Sequence, residues 1–196
     1  MAIGPAVPSR SLVIWRTHRQ RQLDDVERAH AALASTGRGR NYGTEQVNRA
    51  YAVLLASQFQ GFCRGLHSEA ADVVANATAP ALLGPVMRER LLAGRQLDRG
   101  NAQPSSIGSD FGRFFASRFW EALDAASPRF ERRRAELEAL NAWRNAIVHQ
   151  DFAVVGASRL RVAQVRRWRV ACRDLAVGFD RALGRHLRML VGSRPW

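Results

Sequence analysis

The sequence contains no lysine, so all 30 of its basic residues are arginine, against 17 acidic residues. The formal net charge is therefore +13. A surface this positive attracts polyanions and speeds their encounter with the protein, and nucleic acid is the first candidate, ahead of anionic lipid or an acidic protein. Because alanine is also abundant, part of the arginine excess is typical of GC-rich coding rather than of a demand for guanidinium groups.

Cysteine is scarce, and the chain has no pattern typical of a metal site. The two cysteines, Cys63 and Cys172, form no CxxC pair, which argues against a disulfide framework and indicates a reduced, cytoplasmic protein. HxxxH, HExxH and clustered Asp/Cys ligand sets are lacking too, so we expect no metal and no other cofactor. The apolar run at residues 12–15 is too short for a signal-peptide core or a membrane span, and we expect no membrane partner.

Alternating, strand-like runs are nearly missing, whereas apolar residues recur at three- and four-residue intervals along almost the whole chain. This pattern predicts an all-α fold, an up-and-down bundle of about five to six helices. A length of 196 residues with 46% hydrophobic residues fits a single domain over residues 1–196. Residues 1–10 are expected to be a flexible N-terminus.

Four long helices are predicted, at residues 11 to about 35, 44–77, 129–149 and from about 158 to 192. Between the second and third of these, the pattern is less regular. Pro80 fits the first turn of a helix, and residues 87–97 are helical in pattern after a kink or restart at Pro85.

The Gly-, Pro- and Ser-rich stretch at residues 98–109 is predicted to be the longest loop. Ser109 or Asp110 is expected to cap the helix that follows, which carries several phenylalanines up to Leu123. Four tryptophans occupy apolar helical positions, where core packing is favoured over stacking on nucleic-acid bases: Trp15, Trp120, Trp143 and Trp168.

Three polar residues, Arg144, Asn145 and His149, interrupt an apolar stretch at the end of the predicted helix at residues 129–149. Asn145 and His149 are four residues apart and share a helix face, with Arg144 about 100° away, so one site can receive all three side chains. A guanidinium binds phosphate bidentately, and an imidazole that titrates near neutral pH can move a proton. The alternative is structural, because Arg and His in a last helical turn also interact favourably with the helix dipole.

The segment from Arg144 to His149 matches the R-x4-6-H motif of HEPN domains, including the polar residue that commonly follows the arginine. It lies near the end of a helix that precedes a final long helix, as in that family. Residues 48–51, 59–64 and 110–114 resemble earlier helices of the bacterial subgroup called RiboL-PSP-HEPN. The likeness covers roughly residues 42–187.

This resemblance implies a helical bundle that forms a homodimer, so that two motifs meet in one basic cleft. Many HEPN proteins are metal-independent endoribonucleases of toxin-antitoxin or phage-defence systems, so RNA and a neutralising antitoxin are the implied partners. By the same resemblance, Arg144 and His149 are catalytic and Asn145 orients or supports them. The implied reaction is attack of a ribose 2′-hydroxyl on the adjacent phosphorus.

Candidate substrate-binding residues lie in two other places. Gln60 and Arg64 share a helical stripe with His67, which either lines the cleft or a dimer surface or forms a solvated or structural polar face. Arg40, in a predicted basic loop, is expected to contact phosphate. The last helical region carries nine arginines, which either bind RNA or form a solubilising face: Arg159, Arg161, Arg166, Arg167, Arg169, Arg173, Arg181, Arg185 and Arg188.

Two other functions are compatible with these residues. The chain can be a non-catalytic HEPN module that binds nucleic acid or protein. It can also be a helical interaction protein whose basic surface holds an acidic partner.

Overall fold

The computed structural model describes residues 7–34, 42–78, 80–115, 118–156 and 159–196. The α-helices are α1 (Arg10–Ile14), α2 (Gln20–Ala34), α3 (Tyr42–Thr78), α4 (Gly84–Leu92), α5 (Pro104–Gly112), α6 (Phe119–Ala126), α7 (Arg129–His149) and α8 (Val162–Val191). A π-helical turn, Trp15–Arg19, joins α1 and α2 into one continuous helix, so the described residues form seven helices rather than five to six. They contain no strand, and the predicted all-α bundle is confirmed.

The central helix is α3, which packs against α8, α7, α2 and α4. Its broad apolar stripe, including Phe59 and Phe62, is fully buried. The ring of Phe59 lies 5.7 Å from that of Trp15 and 6.0 Å from that of Phe179 on α8. These aromatic contacts join the first, central and last helices in one core.

The N-terminus of α1 is fixed to the last helix. The backbone N–H of Ser9 donates to Oδ1 of Asp180 at 3.0 Å, and the Ser9 hydroxyl accepts from the N–H of Leu12 at 3.1 Å. The segment expected to be flexible includes residues 7–10, which the structure describes, and Ser9 among them is buried. Residues 1–6 lie outside the described part of the chain.

The long helices match their predicted positions closely, whereas the short ones do not. Helix α4 begins at Gly84 and ends at Leu92, because Pro85 occupies its first turn and Gly94 adopts a positive φ of 66° just after it. Helix α5 begins at Pro104, inside the stretch predicted to be a loop. The predicted continuous helix from Asp110 to Leu123 is also wrong, because α5 ends at Gly112 and α6 starts at Phe119.

Asp110 caps a different turn from the one predicted. It lies within α5, and its buried carboxylate accepts the backbone N–H groups of Gln96 and Leu97 at 2.9 and 2.8 Å. Those groups open the 3₁₀ turn Gln96–Asp98, so the carboxylate satisfies donors that would otherwise lack partners. The predicted cap of the following helix is therefore wrong, because the backbone groups that Asp110 accepts lie 14 and 13 residues earlier in the chain.

His67 on α3 is fully buried beneath α5. Its Nε2 lies 3.1 Å from the backbone oxygen of Asp110, and since a carbonyl only accepts, Nε2 carries the proton. Its Nδ1 is buried and has no hydrogen-bond partner among the residues that the structure describes. Burial, with a further contribution from the nearby Arg95, lowers the pKa of His67 to about 4.

Neutral His67 should make the fold sensitive to mild acid. The unfolded chain takes up this proton near pH 6.5 and the folded chain only near pH 4, so stability is complete above pH 6.5 and is lost as the pH falls. Between pH 7 and 4.5 the free energy of unfolding of the wild type should fall by about 2 to 3 kcal/mol more than that of His67→Gln. Urea titrations at both pH values measure this difference, and equal losses in the two proteins would contradict it.

Arg169 of α8 connects three helices through its guanidinium group. It donates to Oε1 of Gln20 at 2.8 and 2.9 Å, to Asp24 at 2.5 Å and to the hydroxyl of Tyr51 at 3.2 Å. The Tyr51 hydroxyl in turn donates to Glu27 at 2.6 Å, and burial raises the pKa of Tyr51 far above its ordinary value. Arg169, predicted as part of an RNA-binding or solubilising surface, thus acts inside the fold.

Replacing Arg169 by Ala should lower the free energy of unfolding by about 2 to 3 kcal/mol, because half-buried acceptors on α2 lose their donor. The matched control is Arg166→Ala on the same helix. Arg166 makes a single 3.5 Å ion pair with Glu27 and is half exposed, so its loss should cost less than about 1 kcal/mol. Chemical denaturation of both variants measures the contrast, and similar losses would show that the Arg169 network stabilises nothing.

Candidate functional site

The predicted motif occupies the last turns of α7, which ends at His149 as expected. Gln150 follows in the left-handed conformation, with φ of 56°. The N–H groups of Gln150 and Asp151 both return to the carbonyl oxygen of Ala146, the second at 3.0 Å. This C-terminal cap turns the chain away from the helix axis and leaves His149 in an exposed last turn.

Arg144 and Asn145 are both half-buried and contact each other. A guanidinium nitrogen of Arg144 donates to Oδ1 of Asn145 at 3.2 Å. Arg144 forms no ion pair with any carboxylate in the described ranges, so its positive charge is not neutralised within them. A guanidinium held in place without an anion is suited to binding one.

The Asn145 amide is fixed by a second donor from a neighbouring loop. Nδ2 of Asn101 donates to the same Oδ1 at 2.6 Å. Four residues earlier on α7, the buried Asn141 donates to the backbone oxygen of Ala102 at 3.0 Å. One face of α7 thus lies along residues 101–102, and the side chain that orients Arg144 is attached to that loop.

His149 continues this face by one more turn. Asn141, Asn145 and His149 are spaced by four residues, and their side chains pass from buried through half-buried to exposed. His149 hydrogen-bonds to no residue that the structure describes, and Arg144 does not reach it. Because Arg144 and His149 are five residues apart, they project about 140° from each other around the helix.

Gln60 and Arg64, the predicted substrate-binding residues on α3, contact the same loop from its other side. The amide of Gln60 donates to the backbone oxygens of Leu97 and Gly100 at 2.8 and 2.5 Å. Nε of Arg64 lies 2.8 Å from Oδ1 of Asp98. Both side chains therefore use their polar groups to hold the loop that carries Asn101, and neither contacts the motif residues within the described ranges.

Arg95 anchors the start of this loop. It donates two hydrogen bonds to Asp98, at 3.0 and 2.8 Å, and others to the backbone oxygen of Arg64 and the hydroxyl of Ser68. The hydrogen bonds from Arg95 hold the pKa of Asp98 below its ordinary value. The remaining predicted contact residue, Arg40, lies outside the described residues.

The acidic residues of α8 do not neutralise its arginines. Asp174 pairs with Arg133 of α7 at 2.8 Å, and Asp180 accepts the N–H of Ser9. Apart from Arg166 and Arg169, which pair with α2, the arginines of this region are exposed and form no ion pair within the described ranges: Arg159, Arg161, Arg167, Arg173, Arg181, Arg185 and Arg188.

The described residues contain no group of three or more His, Cys, Asp or Glu side chains that could hold a metal ion. Among the helices in the same ranges, none has the length and apolar character needed to span a membrane. Both cysteines are buried as free thiols, and burial raises the pKa of each.

The sequence did not point to Asn101 or Asn141 as part of the site. For Asn141 a signal was present, since it lies four residues before Asn145 and eight before His149 on one helix face. For Asn101 there was none, because its partner is 44 residues away and only the folded loop brings them together.

The hydrogen bond between Asn101 and Asn145 should be measurable by a double-mutant cycle. We expect the variants Asn101→Ala and Asn145→Ala to show a coupling energy of about 1 kcal/mol in urea denaturation. As a control, Asn101→Ala combined with Arg133→Ala, which removes the ion pair to Asp174, should be additive within about 0.5 kcal/mol. Additivity of the two asparagine variants would mean that the loop does not hold Asn145.

Comparison with known proteins found no family model, no curated protein and no solved structure that matches this chain. The likeness to HEPN domains therefore depends on the motif residues Arg144 and His149 and on their place in an all-α chain. Membership of that family stays a prediction.

Proposed function

We propose that this chain is a metal-independent endoribonuclease of the HEPN type, acting as a bacterial toxin or phage-defence effector in the cytoplasm. The observation that carries the proposal is that the end of α7 presents both an oriented guanidinium, with no ion pair in the described ranges, and an exposed imidazole. Arg144 is held by Asn145, and His149 lies one turn further on, open to solvent.

The chemistry needs three contributions that these side chains can provide. Arg144 binds a non-bridging oxygen of the scissile phosphate and stabilises the charge that builds on phosphorus. His149 accepts the proton of the ribose 2′-hydroxyl as its oxygen bonds to phosphorus, and the bond from phosphorus to the 5′-oxygen breaks. The 5′-oxygen takes up a proton, and the products carry a 2′,3′-cyclic phosphate and a 5′-hydroxyl.

The separation of Arg144 and His149 around the helix favours a dimer as the active form. With about 140° between the two side chains, one chain presents them to different sides of α7. A second copy related by a two-fold axis would supply the acid opposite the base. Val148 within the motif and Val154 after it are exposed, at 49% and 71%, and apolar side chains of this kind suit such an interface.

Purified protein incubated with single-stranded RNA in EDTA tests the proposal. The wild type should cut the RNA and leave 2′,3′-cyclic phosphate ends, which mass spectrometry identifies. Arg144→Ala and His149→Ala should each lower the rate by at least about 100-fold, because each removes a group that acts in the transition state. An oligonucleotide of the same sequence made of DNA should stay intact, because it lacks the attacking hydroxyl.

The matched controls are Arg132→Ala, which removes an exposed arginine from the same helix, and His18→Ala, which removes an exposed histidine from the first helix. Both should cut at nearly the wild-type rate. If no form of the protein cuts RNA, or if Arg144→Ala cuts as fast as Arg132→Ala, the proposal fails. RNA binding without cleavage would instead favour a non-catalytic module.

A further inference from the structure

A second basic site lies beside the end of α7, in a groove of about 510 Å³ between Trp143 and the start of α8. Its volume is in the range of about 300–1,000 Å³ found for ligand sites. Its polar lining residues, beside Trp143, are three arginines and one glutamine: Arg159, Arg161, Arg167 and Gln164. No carboxylate among the described residues lines it.

The backbone before α8 aims two of these arginines in the same direction. Arg161 is the N-cap of α8 and has extended dihedral angles, φ of −95° and ψ of 143°. Arg159 and Arg161 are both exposed and both line the groove, and Leu160 between them is buried and also borders it. The buried amide of Asn48 fixes this segment by donating to the backbone oxygen of Leu160 at 2.9 Å.

Within the described residues, no carboxylate forms an ion pair with the arginines of the groove. Arg159 and Arg161 form no ion pair with any residue in the described ranges, and Arg167 donates only to the neutral Gln164. Three guanidinium groups around one concave surface repel each other, and an anionic ligand would remove that repulsion.

Trp143 provides a flat apolar wall that the fold holds in place. Its ring centroid lies 6.4 Å from that of Phe152 and 6.4 Å from that of the buried Trp168. The sequence favoured core packing for this residue, and one part of the ring does pack on the core. The rest lines the groove, where a planar group can stack on it.

Another cavity, beside α5 and α6, lacks this combination. It measures about 710 Å³ and also contains a tryptophan and two arginines. There, however, Arg118 and Arg134 pair with Glu121 and Asp124, and Arg134 lies over the face of Trp120 at 5.2 Å. The charges of this cavity are balanced and its aromatic face is covered, so it lacks the features that would bind a polyanion.

We infer that the groove between Trp143 and the start of α8 binds a single-stranded polynucleotide, with phosphates on Arg159, Arg161 and Arg167 and a base stacked on Trp143. The inference rests on the proposed function in one respect, since the strand it holds would be the RNA to be cut. Trp143 precedes Arg144 directly on α7, about 100° around the helix, so a strand leaving the groove meets the motif on an adjacent side.

Binding is measured with a 5′-fluorescein-labelled single-stranded DNA 12-mer, which the proposed reaction cannot cut. The triple variant R159Q/R161Q/R167Q should raise the Kd for this probe about 30-fold or more, as followed by fluorescence anisotropy. The slope of log K against log salt should become shallower by about 2, because each phosphate contact on a single strand contributes about 0.7.

The matched control is R181Q/R185Q/R188Q. It removes the same charge, again from exposed arginines without ion pairs in the described ranges, but from positions further along α8 that do not line the groove. This control should raise the Kd by no more than about threefold. If the two triple variants raise the Kd for the 12-mer equally, only the net charge of the protein matters for binding. That result would overturn the inference that the groove is a binding site.

The stacking contact has its own test in Trp143→Leu, with circular dichroism used to verify that the variant is folded. Its Kd for the 12-mer should rise about tenfold, whereas its Kd for a 12-mer abasic at every position should stay at the wild-type value. If folded Trp143→Leu binds the base-bearing probe as tightly as the wild type, the stacked base is overturned. If the variant does not fold, the arginine variants decide the inference.

The outcomes separate this inference from the proposed function. If Arg144→Ala abolishes RNA cleavage while the groove triple variant binds the 12-mer like its control, the inference about the groove is wrong. The proposed nuclease function is then retained. If the wild type never cuts RNA but the groove triple variant loses binding to the 12-mer, the proposed nuclease function is wrong. The inference about the groove is then retained. Preferential loss of binding to a fluorescein-labelled poly-glutamate peptide, with the 12-mer unaffected, would indicate an acidic protein partner and overturn the inference.

Discussion

The buried carboxylate of Asp110 determines the position of the loop on which the candidate site depends. By accepting two backbone N–H groups it holds the 3₁₀ turn Gln96–Asp98 against α5. The residues that follow this turn contact two helices, with the carbonyl of Gly100 facing Gln60 on α3 and the amide of Asn101 facing Asn145 on α7. A charge removed from water is costly unless its oxygens are satisfied, so this carboxylate allows few alternative arrangements of the turn.

The arginines of this chain divide into two groups that composition alone cannot separate. Arg95 and Arg169 are partly or fully buried. They donate hydrogen bonds to carboxylates, carbonyls and hydroxyls, and these bonds hold helices together. Arg159, Arg161 and Arg167 are exposed and have no carboxylate partner in the described ranges. The distinction follows from where acidic residues lie in space, because most of α8's pairing comes from Asp24 and Glu27 on α2.

Helix periodicity was sufficient to predict the long helices, and α7 begins and ends where its pattern indicated. The short helices were predicted less well, because their boundaries depend on tertiary contacts. The run at residues 98–109 has the composition of a loop, yet Pro104 opens α5 there, where the ring fixes a helical φ and no N–H is needed. The motif residues were recognised from local spacing, whereas Asn101 required a contact across 44 residues that no local pattern encodes.

The gradient of burial along one face of α7 explains how a single helix can serve both the core and a surface site. Asn141 is buried and bonds the loop backbone, Asn145 is half-buried and bonds both the loop and Arg144, and His149 is exposed beyond the loop. Each four-residue step along the helix moves about 6 Å toward its end. The part of the face that is held by the loop therefore adjoins the exposed part. Asn145 lies at the boundary and orients Arg144, which has no ion pair in the described ranges and can bind an anion.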